Sequence, residues 1–213
     1  MSITRHPSDA TLAAFAAGSL DEARAVVVAC HVSLCRQCAS AVAIFEGVGG
    51  ALLDAAAPAA MSAGALDRAL ARLPSAPAPP AAVPVQPAGD VSLPAPLAHY
   101  ALGPWRRIGR TVQWRSVGAA SSDSVRLFML KAAPGTRLPR HRHTGTEWTC
   151  VFEGAFRHDL GRYGPGDFDE ADETVEHNPV VEPGAACICL VALQGDIRLQ
   201  SFIGRLVQPF IRL

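Results

Sequence analysis

The sequence predicts an α + β chain of two domains, a small all-α domain followed by an all-β barrel. Three observations carry this. Residues 1–73 are rich in alanine, with only Pro7 and Pro58 to interrupt helices. Eight of the 23 residues from 74 to 96 are proline, which lacks the N–H that a helix or central strand needs, so this stretch reads as an extended linker. Residues 97–213 alternate short apolar runs with Gly-Pro, Pro-Gly and Gly-Asp turns, the pattern of a sandwich or barrel.

Taken in order, Ser8 or Asp9 caps a first helix over 10–17, which Gly18 stops. Ser19 caps a second that begins at Leu20, with Asp21 and Glu22 where the helix dipole favours acids. A third runs over 36–53. A fourth runs over 62–73, with Leu66, Leu70 and Leu73 on one face. Strands are expected at 125–130, 149–152, 187–193 and 200–203.

No membrane segment is expected, because the best stretch, 39–61, is broken by Glu46, Asp54 and Pro58. The N-terminus has no apolar run behind a basic start, so no signal peptide and a cytoplasmic location are expected. There, clustered cysteines serve as metal ligands or redox thiols more readily than as structural disulfides. Lys+Arg and Asp+Glu both number 19, so the basic footprint of direct DNA binding is missing.

The sharpest feature of the first domain is His31-Val-Ser-Leu-Cys35-Arg-Gln-Cys38. On a helix these donors stand at i, i+4 and i+7 and share one face. An imidazole and two thiolates supply three corners of a tetrahedral zinc site. The fourth ligand comes from His6 or Cys30; Cys30 points about 100° away from His31 around a helix, so His6 is preferred. Four protein ligands close the shell, which makes the zinc structural, and a domain this small and alanine-rich needs such a staple. The segment resembles the zinc anti-sigma domain family. That resemblance implies a domain that binds an extracytoplasmic-function sigma factor and masks its polymerase-binding surfaces.

The second constellation reads Gly135-x5-His141-x-His143-x3-Glu147-x6-Gly154. His141 and His143 are i and i+2 on a strand and point the same way, and Glu147 can reach them across a short turn. Two imidazoles and a carboxylate suit zinc, iron, manganese, nickel or copper. This resembles the first cupin motif, which implies a jelly-roll barrel. Tyr163-Gly-Pro-Gly166-Asp167-Phe168 resembles the opening of the second motif, but no histidine follows at once. His177, eleven residues after Gly166, is the preferred fourth ligand, and His158 is the alternative. The six acids between Asp167 and Glu176 read as a solvated loop, with an orienting role toward His177 as the alternative. Cys187 and Cys189 share a strand face and read as buried apolar residues, with an oxidisable pair as the alternative.

The domain pairing resembles the cytoplasmic anti-sigma factors of the singlet-oxygen response. The resemblance implies residues 1–73 as a helical zinc anti-sigma domain, 74–96 as linker and 97–213 as a cupin-like barrel. It also implies two zinc ions per chain, bound by His6, His31, Cys35 and Cys38 and by His141, His143, Glu147 and His177. The partner would be a sigma factor of the sigma-E type in a 1:1 complex, with the cupin domain required for release, and the chain would not be an enzyme. The competing reading is a metal-dependent cupin enzyme of dioxygenase type with a helical accessory domain.

Overall fold

Four helices precede the linker in the computed structural model, which describes residues 2–73, 93–119 and 125–199. Helix α1 (Asp9–Ala16) opens where the Ser8 hydroxyl accepts from the Thr11 N–H. Helix α2 (Glu22–Leu34) is capped by Asp21, whose carboxylate accepts from the Arg24 N–H, and not by Ser19. A charged acceptor at the positive helix end outcompetes a hydroxyl, and the Ser19 hydroxyl instead donates to Ala14 in the last turn of α1. Helix α3 (Arg36–Ala55) starts after a break at Cys35, where φ −111° and ψ 107° are extended. Residues 31–38 therefore do not lie on one continuous helix face, as the spacing predicts. Helix α4 (Ala65–Arg72) begins later than expected, after Gly64 at φ 70°.

By length and composition helix α3 passes for a membrane span, with a mean hydropathy of 1.4 over an 18-residue window, although Glu46 and Asp54 interrupt it as expected from the sequence. Its first turns are nonetheless pinned inside the helical domain, where Cys38 and Val42 are buried. The rest of it lies on the surface.

A 3-10 helix, Ala95–His99, leads into the β domain. The strands are β1 (Arg106–Ile108), β2 (Val112–Ser116), β3 (Val125–Ala132), β4 (His141–His143), β5 (Glu147–Glu153) and β6 (Phe156–His158). They continue as β7 (Gly161–Tyr163), β8 (Phe168–Ala171), β9 (Glu176–His177), β10 (Val180–Val181), β11 (Cys187–Gln194) and β12 (Ile197–Leu199). A six-stranded sheet of order β1-β2-β3-β11-β5-β8 is complemented by two three-stranded sheets, β10-β6-β7 and β12-β4-β9. Gly154 makes the tight turn after β5 at φ 64°, where a Cβ would stand 2.4 Å from the Ala186 carbonyl oxygen. The strand expected at 200–203 lies outside the described residues, as does most of the linker.

Strand β11 is buried from Cys187 to Leu193 without alternation, so both of its faces are covered. Ile188, Leu190 and Ala192 join a core that also contains Val27, Val28 and Cys30 of α2 and Leu97 of the 3-10 helix. Cys187, Cys189 and Val191 face the opposite way, into a cavity of about 1120 Å3. The two halves are thus packed together through α2 against β3, β5 and β11, rather than held apart on a tether. Leu97 is fully buried at this junction. Leu97→Ala should lower the unfolding free energy by about 2–5 kcal/mol in a urea titration. A loss below about 1 kcal/mol would place Leu97 outside the shared core.

Candidate metal centres

The helical centre is assembled from three short pieces of chain. His6 precedes α1, His31 lies in the last turn of α2, Cys35 is the break, and Cys38 lies in the first turn of α3. One donor atom from each lies within 4.8 Å of the others. Nδ1 of His6 is 3.4 Å from Sγ of both Cys35 and Cys38, and Nε2 of His31 is 3.2 Å from Sγ of Cys38. Nδ1–H of His31 donates to the Gly166 carbonyl at 2.7 Å, which leaves the Nε2 lone pair facing the thiols. Burial lowers the His31 pKa to about 4 and, with Cys35 beside it, raises that of Cys38 to about 12. In this pocket a neutral imidazole is ready to bind a cation, and a thiolate needs one. The alternative ligand Cys30 packs into the apolar core and does not join the group.

The second centre lies at the wall of the cavity. Strand β4 buries His141 and His143 and exposes Arg142 between them, Glu147 opens β5, and β9 sets His177 opposite His141. These four also converge within 4.8 Å. His141 donates from Nδ1 to the Pro139 carbonyl at 2.7 Å, and its Nε2 stands 3.0 Å from Nε2 of His177. Nε2 of His143 lies 3.3 Å from a Glu147 oxygen, but neither ring nitrogen of this buried side chain has a hydrogen-bond partner. A buried imidazole with both nitrogens unpartnered, set among three other converging metal-ligand side chains, is what a cation orders. Burial lowers the pKa of His177 to about 4 and also lowers that of His141. Burial opposes ionisation of Glu147 too, yet the three imidazoles hold its pKa at about 2. The set is three imidazole nitrogens and one carboxylate oxygen, the donor chemistry of a divalent metal.

His158, the alternative fourth ligand, stands just outside this group. Its Nε2 is 3.1 Å from Asp169, and its ring lies 4.9 Å from that of His177. His158, Asp169 and His177 form a further donor group. The reading of residues 167–176 as a solvated loop is therefore corrected at Asp167 and Asp169, both only 4% exposed. Their i, i+2 spacing on an extended segment is the signal that places them on one side. All six cysteines are free and buried, and both Cys187 and Cys189 line the cavity.

A family model described as the ChrR cupin-like domain matches residues 96–195. The anti-sigma-E factor ChrR of Cereibacter sphaeroides is 41% identical over 222 residues, covering 100% of both chains. The crystal structure of Rhodobacter sphaeroides SigE in complex with the anti-sigma ChrR contains a chain 38% identical to this one. It covers 91% of this chain and 100% of that chain, with a TM-score of 0.74.

Cys38→Ala should lower the metal content by one ion per chain by elemental analysis and unravel the α2–α3 junction, while His177→Ala should lower it by one and spare that junction. Acid should act on both centres. The unfolded chain protonates these imidazoles near 6.5 and the folded chain near 4, so folded stability is intact above about pH 7 and falls as pH drops from 6.5 to 4. A melting temperature level across that window would contradict the buried, neutral state of His31 and His177.

Proposed function

The chain belongs to the ChrR family of anti-sigma factors, and from that premise we propose how its exposed helices and its metal centres divide the work. It is a regulatory protein and not an enzyme; the dioxygenase reading gives way to the family. It holds an extracytoplasmic-function sigma factor in a 1:1 complex through its helical domain.

The observation that carries this is an apolar surface with no cover. Ile44, Val48 and Leu52 follow one another at four-residue spacing along α3 and are 55–69% exposed. Leu53 at the end of α3, and Leu66, Leu70 and Leu73 in and beside α4, are exposed as well. The stripe on α3 is a docking face rather than a set of scattered surface residues, and α4, the next helix in the chain, adds a second exposed apolar run. This reading also accounts for the membrane-like composition of α3: its apolar side meets a protein partner, and the chain works as a soluble cytoplasmic protein.

Zinc is the ion we assign to both centres. Bond lengths of roughly 2.0–2.3 Å in a tetrahedron place neighbouring N and S ligands roughly 3.5 Å apart, close to the spacings of the helical group. His6, His31, Cys35 and Cys38 would close the shell, so this zinc stabilises the fold. His141, His143, Glu147 and His177 would hold the second zinc at the cavity, where the cupin domain responds to singlet oxygen or related oxidants and releases the sigma factor. The chemistry that zinc supplies there is to fix three histidines and one glutamate in a single arrangement that a change in the cavity can disturb.

Replacing Leu52 and Leu70 together by Asp should weaken co-purification with the cognate sigma factor by about tenfold or more, with metal content and circular dichroism unchanged. Undiminished binding would move the docking face elsewhere. In a His141→Ala, Glu147→Ala chain the sigma factor should stay inhibited, while induction of its promoters by photosensitiser and light is lost. Normal induction there would leave the cupin metal without a part in signalling.

A further inference from the structure

The helical metal centre does not end at the helical domain. His31 donates its Nδ1–H to the carbonyl of Gly166, a cupin-domain residue 135 positions away in the chain. Gly166 sits in the turn between β7 and β8 at φ 86°, a backbone conformation that aims this carbonyl and that L side chains rarely adopt. The next residue, Asp167, is buried and uses both carboxylate oxygens. One accepts from the backbone N–H groups of Thr4 at 2.7 Å and Arg5 at 3.0 Å, and the other from the Gly164 N–H at 2.7 Å. The Phe168 N–H then donates to the Arg5 carbonyl at 3.1 Å. Residues 3–6, which end in the ligand His6, are thereby strapped along the start of β8. On the outer side of the strap the Arg5 guanidinium donates to the Leu160 carbonyl at 3.0 Å and lies 5.5 Å from the centre of the Tyr163 ring.

We propose that the Gly166 carbonyl and the Asp167 carboxylate are positioning groups for the helical metal centre, so that the cupin domain sets the metal affinity of the domain that binds the sigma factor. The inference rests on the metal reading of His6, His31, Cys35 and Cys38 given above. Two of the four ligands, Cys35 and Cys38, are set by the backbone of the α2–α3 junction alone. The other two, His6 and His31, are each oriented by a group of the β7–β8 turn. A metal-bound imidazole needs its second nitrogen fixed, and here the fixing acceptor belongs to the other domain. His6 has no helix to hold it, and the strap supplies what a helix would. The same β8 strand carries Asp169, which pairs with His158 against His177 of the cupin centre. The segment Gly166–Asp169 therefore reaches the helical centre at one end and, through His158, the side of His177 at the other, and a shift of β8 in the cupin domain reaches the helical ligands through two hydrogen-bonded residues.

The test uses the full chain in a His141→Ala, Glu147→Ala, His177→Ala background, which removes ligands from both donor groups of the cupin domain, and reads zinc affinity by competition with a chromogenic chelator. Asp167→Ala should weaken zinc binding by about tenfold or more. It should also shift the thiolate-to-metal and d–d bands of the cobalt-substituted chain, although all four ligands are unchanged. Arg24→Ala removes a different contact between the domains, to Thr146 and Gln194, and touches neither ligand. It should leave affinity within about twofold and the cobalt bands unmoved. Arg5→Ala, on the exposed side of the strap, should weaken binding in the same direction by a smaller factor, and it decides the matter if Asp167→Ala does not fold. Unchanged affinity and bands in the strap variants would overturn the proposal, as would an equal loss in Arg24→Ala, which would make the effect one of general docking. A parent chain that binds no zinc would instead overturn the helical-site reading itself.

Discussion

One strand, β11, has no solvent face, and the arrangement of the molecule follows from that. Its run Cys187–Leu193 is continuously apolar, and leaving either side wet would expose several large side chains at a cost of about 1.5–3 kcal/mol each. Helix α2 covers the side that carries Ile188, Leu190 and Ala192. The cavity takes the side that carries Cys187, Cys189 and Val191. A single layer of backbone therefore separates the helical domain from the metal-lined cavity. An α2 that left the sheet would uncover both its own Val27 and Val28 and the outer face of β11, so docking of the two halves is part of folding.

The two centres solve the same electrostatic problem with different donors. In both, burial strips water from groups that must stay close together, and it favours their neutral forms. At the helical centre this leaves a Cys38 thiol that gives up its proton to a cation and not to water. At the cupin centre Glu147 keeps its charge because three imidazoles surround it. The helical set is soft and closed, which suits a structural part; the cupin set is harder and borders a cavity, which suits exchange with whatever enters it.

The donor residues were legible because their spacing is local. His31, Cys35 and Cys38 fall within about two helical turns of chain, and His141, His143 and Glu147 within a strand and a turn. The break at Cys35 was not, since the same spacing serves a continuous helix, and a metal can replace the hydrogen bonds that the break gives up. Asp167 and Asp169 were hidden for another reason. An acid-rich stretch looks solvated until the fold supplies the Thr4 and Arg5 N–H groups for one and His158 for the other. The run 187–193 announced a strand, but the cover on its second face lies some 160 residues upstream, at Val27 and Val28, where no local pattern points to it.

The position of the helical centre explains why a domain of this size carries it at the α2–α3 junction and not elsewhere. Helix α2 is the element committed to the cupin sheet, and α3 is the element whose outer half offers Ile44, Val48 and Leu52 to a partner. Between them the chain is extended for one residue, Cys35, and nothing in the backbone alone sets the angle at which α3 leaves. A four-coordinate metal that joins the end of α2, the break and the start of α3 would fix that angle, because His31 and Cys38 are each held both by a helix and by the ion. The apolar stripe is then displayed in one orientation relative to the barrel. Loosening the ligands frees the joint without unfolding either partner of it, and the docking face loses its fixed shape while the core beneath it persists.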